Sequence, residues 1–408
     1  MRTAVLLGSR DTKRSIYFEK AARQTGLPFL FVDWEEWRNH GFSHEGEFFG
    51  EKEYFVKIDP PVWKNSCLTD LNSMVDGYQR DLEVLGRDSC ITQYLNPPEH
   101  LLALLDKREC KDTLKHAGLA VTEVLSGCGT SSSRGGALPS ICGVSSRCGV
   151  SSFKSGVSSS GNISCAEELL TCMQEQHVSS VFLKPVNGSG AAGVTAFRFQ
   201  PSTGRMVAYS CALPVGGTTE LTQNADIMCT TANDSVCINA APAAGFVPLV
   251  NTKKLRTFTD KSIIFPLLDS LLSLGCIVER WYPKADFEGF SYDLRGVFQE
   301  GRLDFLLARL SKGPITNLHL NNHPLEANRL GLPGRVMDEI GELCSKAMDC
   351  YPGLKSAGID ILLERGSLKP RIIEMNGQGD LLYQDIYYEN RIYRHQAEMM
   401  KRWLEKLD

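Results

Sequence analysis

FLKPVNGSGAAGV, residues 182–194, carries the reading from which the rest follows. An apolar strand runs into Lys184, and a loop with Gly188, Gly190 and Gly193 comes after it. Glycines let backbone N–H groups approach an anion closely, and a lysine leaving the strand adds positive charge. That combination suits a phosphate cradle. It is not the GxxxxGK[ST] loop that leads into a helix. A glycine-rich hairpin loop without a ligand would read the same way in isolation.

A second stretch, GIDILLERGSLKPRIIEMNGQGD (residues 358–380), predicts a β-hairpin turning at ERGSLKPR. Asp360 lies near the start of its first strand, Glu374 and Asn376 near the end of its second, so the turn returns them to one end. Alternation puts Glu374 and Asn376 on the same strand face. Two carboxylates and an amide oxygen form an oxygen-only set, which suits Mg²⁺ shared with phosphates. Surface carboxylates at strand ends are the competing reading. Between the two stretches, YDLRGVF (292–298) places Asp293 and Arg295 on one face. LLARLS (306–311) brings Arg309 on the next strand of a hairpin around QEGR, and Asn317 follows in PITNLHL. Two arginines and an asparagine pointing one way would hold phosphate oxygens or a developing oxyanion. A salt bridge between Asp293 and an arginine is the alternative.

In this order, Lys107 in LLDKREC, Lys184 before its glycine loop, VERWY (278–282), D-x-R, R…N and D…E-x-N resemble the ATP-grasp superfamily over about residues 92–380. Within it, the pattern looks most like the glutathione synthetase and ribosomal-protein glutamate ligase branch. The tail DLLYQDIYYENRIYRHQ resembles a group of bacterial ATP-grasp proteins. The resemblance implies an α/β, α+β grasp fold: an N-terminal pre-grasp α/β domain, then two lobes holding ATP between antiparallel sheets. The expected division is 1–105 for the first domain, 106–275 for the central and lid subdomain, and 276–408 for the C-terminal subdomain with the metal site. Lys107, Lys184, Gly188 and Gly190 would contact the phosphates. Glu279 would sit beside adenine, with main-chain groups of Trp281 reading its edge, and Asp293 or Asp286 would meet the ribose. Asp360, Glu374 and Asn376 would hold one or two Mg²⁺ ions, with Mn²⁺ as a substitute. Arg295, Arg309 and Asn317 would clamp the transferred phosphoryl group and an acyl phosphate. The chain departs from the branch after Asn317, where two glycines are usual and NLHLNNH carries Asn321 and Asn322.

The activity implied is an ATP-dependent carboxylate–amine ligase acting on small molecules, with amino acids and peptides among the candidates. Two alternatives stand beside it: a kinase on the same fold, for which Asp380 or Asp385 hint at a base, and a non-catalytic ATP-binding protein. Candidate substrate determinants are Arg10 and Asp11, the IDPPVW segment (58–63), YLNPPEH and the NGQGDLLYQD loop. A homo-oligomer is compatible with the resemblance.

The remaining sequence bounds these readings. At about 150 residues per domain, 408 residues suggest two to three domains. With 42% hydrophobic and 23% charged residues the chain is an ordinary globular one. A net charge of −4 does not advertise a nucleic-acid or membrane surface. The first apolar run is too short for a signal peptide, so a cytoplasmic protein is expected. SIIFPLLDSLLSLGCIV (262–278) is interrupted by Pro266 and Asp269 and reads as a buried helix and a strand. Fourteen cysteines occur without a CxxC pair, which disfavours zinc, and Cys110, Cys276 and Cys344 read as small buried hydrophobes. Residues 126–165 hold 14 serines and 8 glycines with GVSS three times, which reads as a disordered insertion. Residues 213–248 read as a long excursion.

Overall fold

The structure, a computed structural model, describes residues 2–42, 53–62, 67–127, 162–188, 191–214 and 248–406. Most of the serine- and glycine-rich insertion, most of the 213–248 excursion, and Gly190 lie outside these residues.

Four strands, β1 (Arg2–Gly8), β2 (Leu30–Asp33), β3 (Glu53–Ile58) and β4 (Ile91–Tyr94), form a parallel sheet in the order β2-β1-β3-β4. Helices α1 (Lys13–Thr25), α2 (Trp34–His40) and α3 (Leu68–Leu85) connect them. Central β1 is buried from Ala4 to Leu7, as a parallel strand covered by helices is. The turn GSRDTKR ends in a capping box, in which Thr12 and Ser15 exchange bonds, and this starts α1. Next come α4 (Pro98–Leu105) and α5 (Lys107–His116), separated by Asp106 alone. Its carboxylate accepts from the N–H groups of Arg108 and Glu109, which fixes Lys107 in the first turn of α5.

The second sheet is antiparallel. It follows α6 (Ala166–Glu175) and contains β5 (Ser180–Pro185), β6 (Thr195–Gln200), β7 (Arg205–Pro214) and β8 (Leu249–Phe258). After α7 (Lys261–Ser273), β9 (Cys276–Arg280) returns to pair with β5, so the order is β8-β7-β6-β5-β9. This sheet thus continues past position 275. Leu169, Leu183, Phe197, Leu267 and Leu271 fill the core between it and α6 and α7. The break in the apolar run 262–278 falls at Gly275 (φ +81), whereas Pro266 lies inside α7.

The third sheet has the path β13-β12-β11-β14-β15, with a two-residue β10 (Asp286–Phe287) also paired to β11. Its strands are β11 (Phe290–Gln299), β12 (Arg302–Ser311), β13 (His323–Glu326), β14 (Ser356–Leu363) and β15 (Pro370–Asn376). Glu300 (φ +44) and Gly301 (φ +79) make the β11–β12 turn with two left-handed residues. Such a turn matches the twist of the two strands it joins. Helix α8 (Gly334–Asp349) covers one face through Val336, Ile340, Cys344 and Ala347. Cys110, Cys276 and Cys344 are buried as expected, and burial pushes the thiols of the last two up to about 12. A short α9 (Tyr383–Ile386) and the amphipathic α10 (Arg391–Glu405) close the chain, and Tyr393 of α10 packs against Phe18 of α1. No helix among the described residues is long and apolar enough to cross a membrane.

His395 staples α10 to the β11–β12 hairpin. Its Nδ1 lies 3.0 Å from Asp304 Oδ2 and its Nε2 2.9 Å from Glu300 Oε2. Arg302 and Arg402 pair with the same two carboxylates. The bond to Asp304 raises the imidazole pKa, assisted by Glu300 and opposed by burial. A raised folded pKa gives stability that is complete below the unfolded value of about 6.5 and is lost as pH rises through the folded value. The melting-temperature advantage of wild type over His395→Gln is therefore expected to be full at pH 6 and to shrink toward pH 9. A pH-independent difference between the two melting profiles would refute the assignment.

Candidate active site between two sheets

Strand register assembles a row of charge across the third sheet. Asp293 faces Arg309 across β11–β12, Arg295 faces Asp360 across β11–β14, and Asp360 faces Glu374 across β14–β15. A register shift beside the last pair leaves Ile373 as an extra residue in β15. The row is tied by direct ion pairs. Arg309 Nε is 2.7 Å from Asp293 Oδ1, and its Nη2 is 2.9 Å from Asp360 Oδ2. Arg295 Nε is 2.9 Å from Asp360 Oδ1. Lys284 Nζ lies 3.4 Å from Asp293 Oδ2 and donates to Thr316 Oγ1 at 2.6 Å. All of these charges are buried or nearly so.

The second sheet supplies the opposing wall. Lys184 Nζ sits 2.8 Å from Glu279 Oε2, Lys111 Nζ sits 3.2 Å from Oε1, and the Thr122 hydroxyl donates to Oε2 at 2.7 Å. Lys107 Nζ donates to the Gly188 carbonyl at 2.6 Å, which joins α5 to the glycine loop. Gly193, near the end of that loop, leaves no room for a side chain. Gly193 has φ +71, and a Cβ there would come within 2.9 Å of Pro185 Cγ and 3.2 Å of Leu68 Cδ1.

Between the walls lies a narrow inner cavity, lined by Lys107, Lys184, Gly188 and Glu279 on one side. Asp293, Arg309, Asn317, Asp360 and Glu374 line the other. It meets a larger outer cavity of ≈ 550 Å³, lined by Arg295, Arg309, Asn317, Glu374 and Asn376 together with residues of the N-terminal domain. The two share Lys107, Gly188, Arg309, Asn317 and Glu374. Of the residues expected to handle phosphate and metal, these five lie where the cavities join, Lys184 and Asp360 line the inner cavity, and Arg295 and Asn376 line the outer one.

Burial opposes every charge here, and partners decide the outcome. Burial lowers Lys107 below the ordinary lysine range despite Glu374, and brings Lys111 down to about 8. For Lys184 burial is outweighed by Glu279 and Glu374, so its pKa ends raised. Glu374 is likewise held low against burial by Lys107, Lys184 and the two arginines. Asp360 is pushed up by burial, and the Glu374 charge adds to this against the two arginines. Asp293 is held at about 2, because Arg309 and Lys284 overcome its burial.

The donor set fits a hard divalent cation. Asp360 Oδ1 is a buried oxygen that pairs with Arg295 Nε at 2.9 Å and lies next to the like-charged Glu374. Asn376 Oδ1 accepts one bond, from the Gln378 N–H, which leaves a lone pair. A cation between the carboxylates would relieve their repulsion. No group of three His, Cys, Asp or Glu side chains suited to a metal occurs among the described residues.

Several expectations need correction. Trp281 is not among the residues that line either cavity: its N–H donates to Ser180 O, and its ring packs on Phe182. Arg280 and Tyr282, its neighbours, line the cavity instead. Glu279 lines the inner cavity and is engaged there by Lys184 and Lys111. Asp286 is half-exposed and paired with Arg365, away from the site. Arg10 and Asp11 do not appear in either wall, whereas Arg14 lines the outer cavity. Asp380 is locked to Arg14, Lys57 and Gln396, and Asp385 accepts the N–H groups of Arg391 and Ile392 at the start of α10. Neither is placed to serve as a base. Asn321 and Asn322 substitute for the missing glycines: Asn321 takes a left-handed conformation (φ +59), and Asn322 donates to Ile315 O and Asn317 O. Lys111, Thr122, Lys284 and Thr316 were not singled out from sequence. Only Lys111, one turn beyond Lys107, had a readable signal.

Gly358 shows how tightly Arg295 is held. A Cβ on Gly358 would lie 2.5 Å from Arg295 Nη1 and 2.6 Å from Gly379 O. Gly358→Ala is expected to destabilise the chain by about 1–3 kcal/mol. It should also displace Arg295, so nucleotide turnover falls more than the stability loss accounts for. Urea unfolding and turnover measured on the same preparation check this.

No family model matches the chain, and no curated protein matches it in sequence. Solved structures do match. D-cycloserine synthetase DcsG superposes with a TM-score of 0.53 at 12% identity, over 98% of this chain and 99% of that one. The macrocyclase MdnC from Microcystis aeruginosa MRC, solved with its precursor peptide MdnA, superposes with a TM-score of 0.51 at 13% identity, over 98% and 100%. At such identity the likeness is one of fold, and it runs end to end. With a parallel N-terminal sheet followed by two antiparallel sheets that face each other across the charged cleft, the chain has the α+β ATP-grasp fold that its motifs imply.

Proposed function

We propose that the chain is an ATP- and Mg²⁺-dependent ligase that joins a carboxylate to an amine through an acyl phosphate, releasing ADP and phosphate. One observation carries the reading: the Arg309–Asp293 and Arg295–Asp360–Glu374 row lies across a cavity from Lys184 and Lys107, and that cavity opens into a second one. The motif order agrees with the glutathione synthetase and ribosomal-protein glutamate ligase branch. The two solved neighbours, a synthetase and a macrocyclase bound with a precursor peptide, are compatible with bond formation.

A carboxylate is a poor electrophile, and phosphorylation turns one of its oxygens into a good leaving group. The protein then has little covalent chemistry to perform; it positions the reactants and neutralises charge. ATP lies in the inner cavity with its phosphates between Lys107, Lys184 and the glycine loop. Asp360, Glu374 and Asn376 would hold Mg²⁺, which neutralises charge on the β- and γ-phosphates. Arg309 and Asn317, at the junction, and Arg295, in the outer cavity, steady the transferred phosphoryl group and the acyl phosphate. The amine displaces phosphate from the outer side.

The hydroxyl-kinase alternative loses its candidate bases, because Asp380 and Asp385 are engaged structurally. A phosphate-release assay with ATP, Mg²⁺ and a set of amino acids and peptides tests the reading. Mass spectrometry of the product decides the class: two molecules joined with loss of water support the ligase, and gain of one phosphate overturns it. Tight ATP binding with no turnover across the set would favour a non-catalytic nucleotide-binding protein.

A further inference from the structure

The outer cavity has two unlike walls. One is the polar row of Arg295, Arg309, Asn317 and Glu374. The other combines an apolar stretch with Arg14, Gln378, Tyr383 and Gln384. Leu101, Leu104 and Leu105 come from α4 at a spacing that places them on one helix face, and Leu381 and Leu382 join them from the segment after Gly379. Pro60, at the end of β3, extends the same wall.

We propose that this cavity selects a carboxylic acid with an extended apolar side chain. The acid lies along the leucine wall with its carboxylate turned toward Arg295 and Arg309. This rests on the nucleotide and metal reading above and adds the class of acid to it. Three observations carry it. First, the apolar stretch begins directly beside the metal motif: Leu101 Cδ2 is 2.6 Å from where a Cβ on Gly377 would stand, and Leu104 Cδ1 is 3.4 Å from it. Leu101 and Leu104 are buried in that contact and anchor α4 beside the polar row, so the part of the wall open to a ligand is Leu105 and Leu381. Second, Leu105 and Leu381 are only partly buried, so they still offer apolar surface for a ligand to cover. Third, ≈ 550 Å³ is far more than a one- or two-carbon acid fills, and lies within the range usual for larger ligands. A small polar acid would leave the leucine wall in contact with water.

Hydroxylamine provides a test that needs no knowledge of the natural amine. It attacks the acyl phosphate, forms the hydroxamate through a new C–N bond and expels inorganic phosphate, while ADP has already left the γ-phosphoryl group. The full chain with ATP and Mg²⁺ is offered alanine, norvaline, leucine and phenylalanine beside asparagine and glutamine, both free and as the C-terminal residue of glycyl dipeptides. Within the aliphatic series kcat/KM should rise about fourfold per methylene, and leucine should exceed asparagine by at least about tenfold. Leu105→Gln and Leu381→Gln should each reduce the leucine-to-asparagine ratio severalfold through KM. Their MgATP affinity reports whether they have folded. MgATP binding combined with preference for the polar acids, or with no hydroxamate from any apolar acid, overturns the substrate assignment alone. Failure to bind MgATP at all overturns the nucleotide reading and this inference with it.

Discussion

Glu374→Gln forms ADP at least about 10²–10³-fold more slowly than the wild-type chain, at saturating Mg²⁺ and with an unchanged fold. The substitution keeps the shape of the side chain and removes its charge. In the folded chain that charge is held ionised by Lys107, Lys184, Arg295 and Arg309, and it sits where the two cavities meet. Without it, Asp360 and Asn376 remain as cation donors, and Asp360 is already shared by two arginines. Magnesium affinity should therefore fall along with turnover, and a Mg²⁺ titration of ADP formation separates the two effects. Lys184→Ala should lose activity to a similar degree. Its partner Glu279 keeps Lys111 and Thr122, so the carboxylate is not left alone. Circular dichroism and urea midpoints show whether each variant is folded. Full turnover in both folded variants would remove the site assignment.

Asp380→Asn lowers unfolding free energy by about 3–5 kcal/mol, the usual cost of breaking a buried charge pair by removing one partner. Asp380 stands four residues beyond Asn376 and binds Arg14 of α1, Lys57 of β3 (3.2 Å) and Gln396 of α10 (3.2 Å). It therefore ties the loop behind the metal motif to the N-terminal domain. Lys57 would retain Asp59, but Arg14 would keep only the Gln378 carbonyl at 2.8 Å. The same carboxylate predicts an acid dependence. Burial raises its pKa, yet Lys57 and Arg14 outweigh this and hold it below the ordinary range. A depressed folded pKa gives stability that is present above the unfolded value of about 3.9 and is lost as pH falls through the folded one. The difference between wild type and Asp380→Asn in urea unfolding should accordingly be full at pH 7 and narrow as pH drops below 4. An Asp380→Asn chain as stable as wild type at pH 7 would show that the network contributes nothing net.

The two predictions concern residues six positions apart, one in β15 and one in the loop after it, yet only the first was readable from sequence. D…E-x-N spacing in a predicted hairpin marks Glu374 as a site residue because hairpin geometry is local. Asp380 looks from sequence like a spare carboxylate near the site, a hint of a base. Its partners are 323 and 366 positions away in the chain, and no local pattern connects them. Trp281 is a similar case. Position along a hinge strand suggests adenine contact, but pairing with β5 spends its N–H on Ser180 and leaves Arg280 and Tyr282 at the cavity.

Sequence alone determined the elements and marked the residues expected to carry chemistry: strand–loop glycines after Lys184, alternation that puts Asp293 with Arg295 and Glu374 with Asn376, and the order that resembles ATP-grasp enzymes. These follow from periods of two and from residue types, which are local properties of the chain. Tertiary structure alone decided which charges are paired. Arg309 with Asp293, Asp360 with two arginines, and Glu279 with two lysines arise from strand register and from the facing of two sheets. Burial then makes each partner, not each residue, set the charge state.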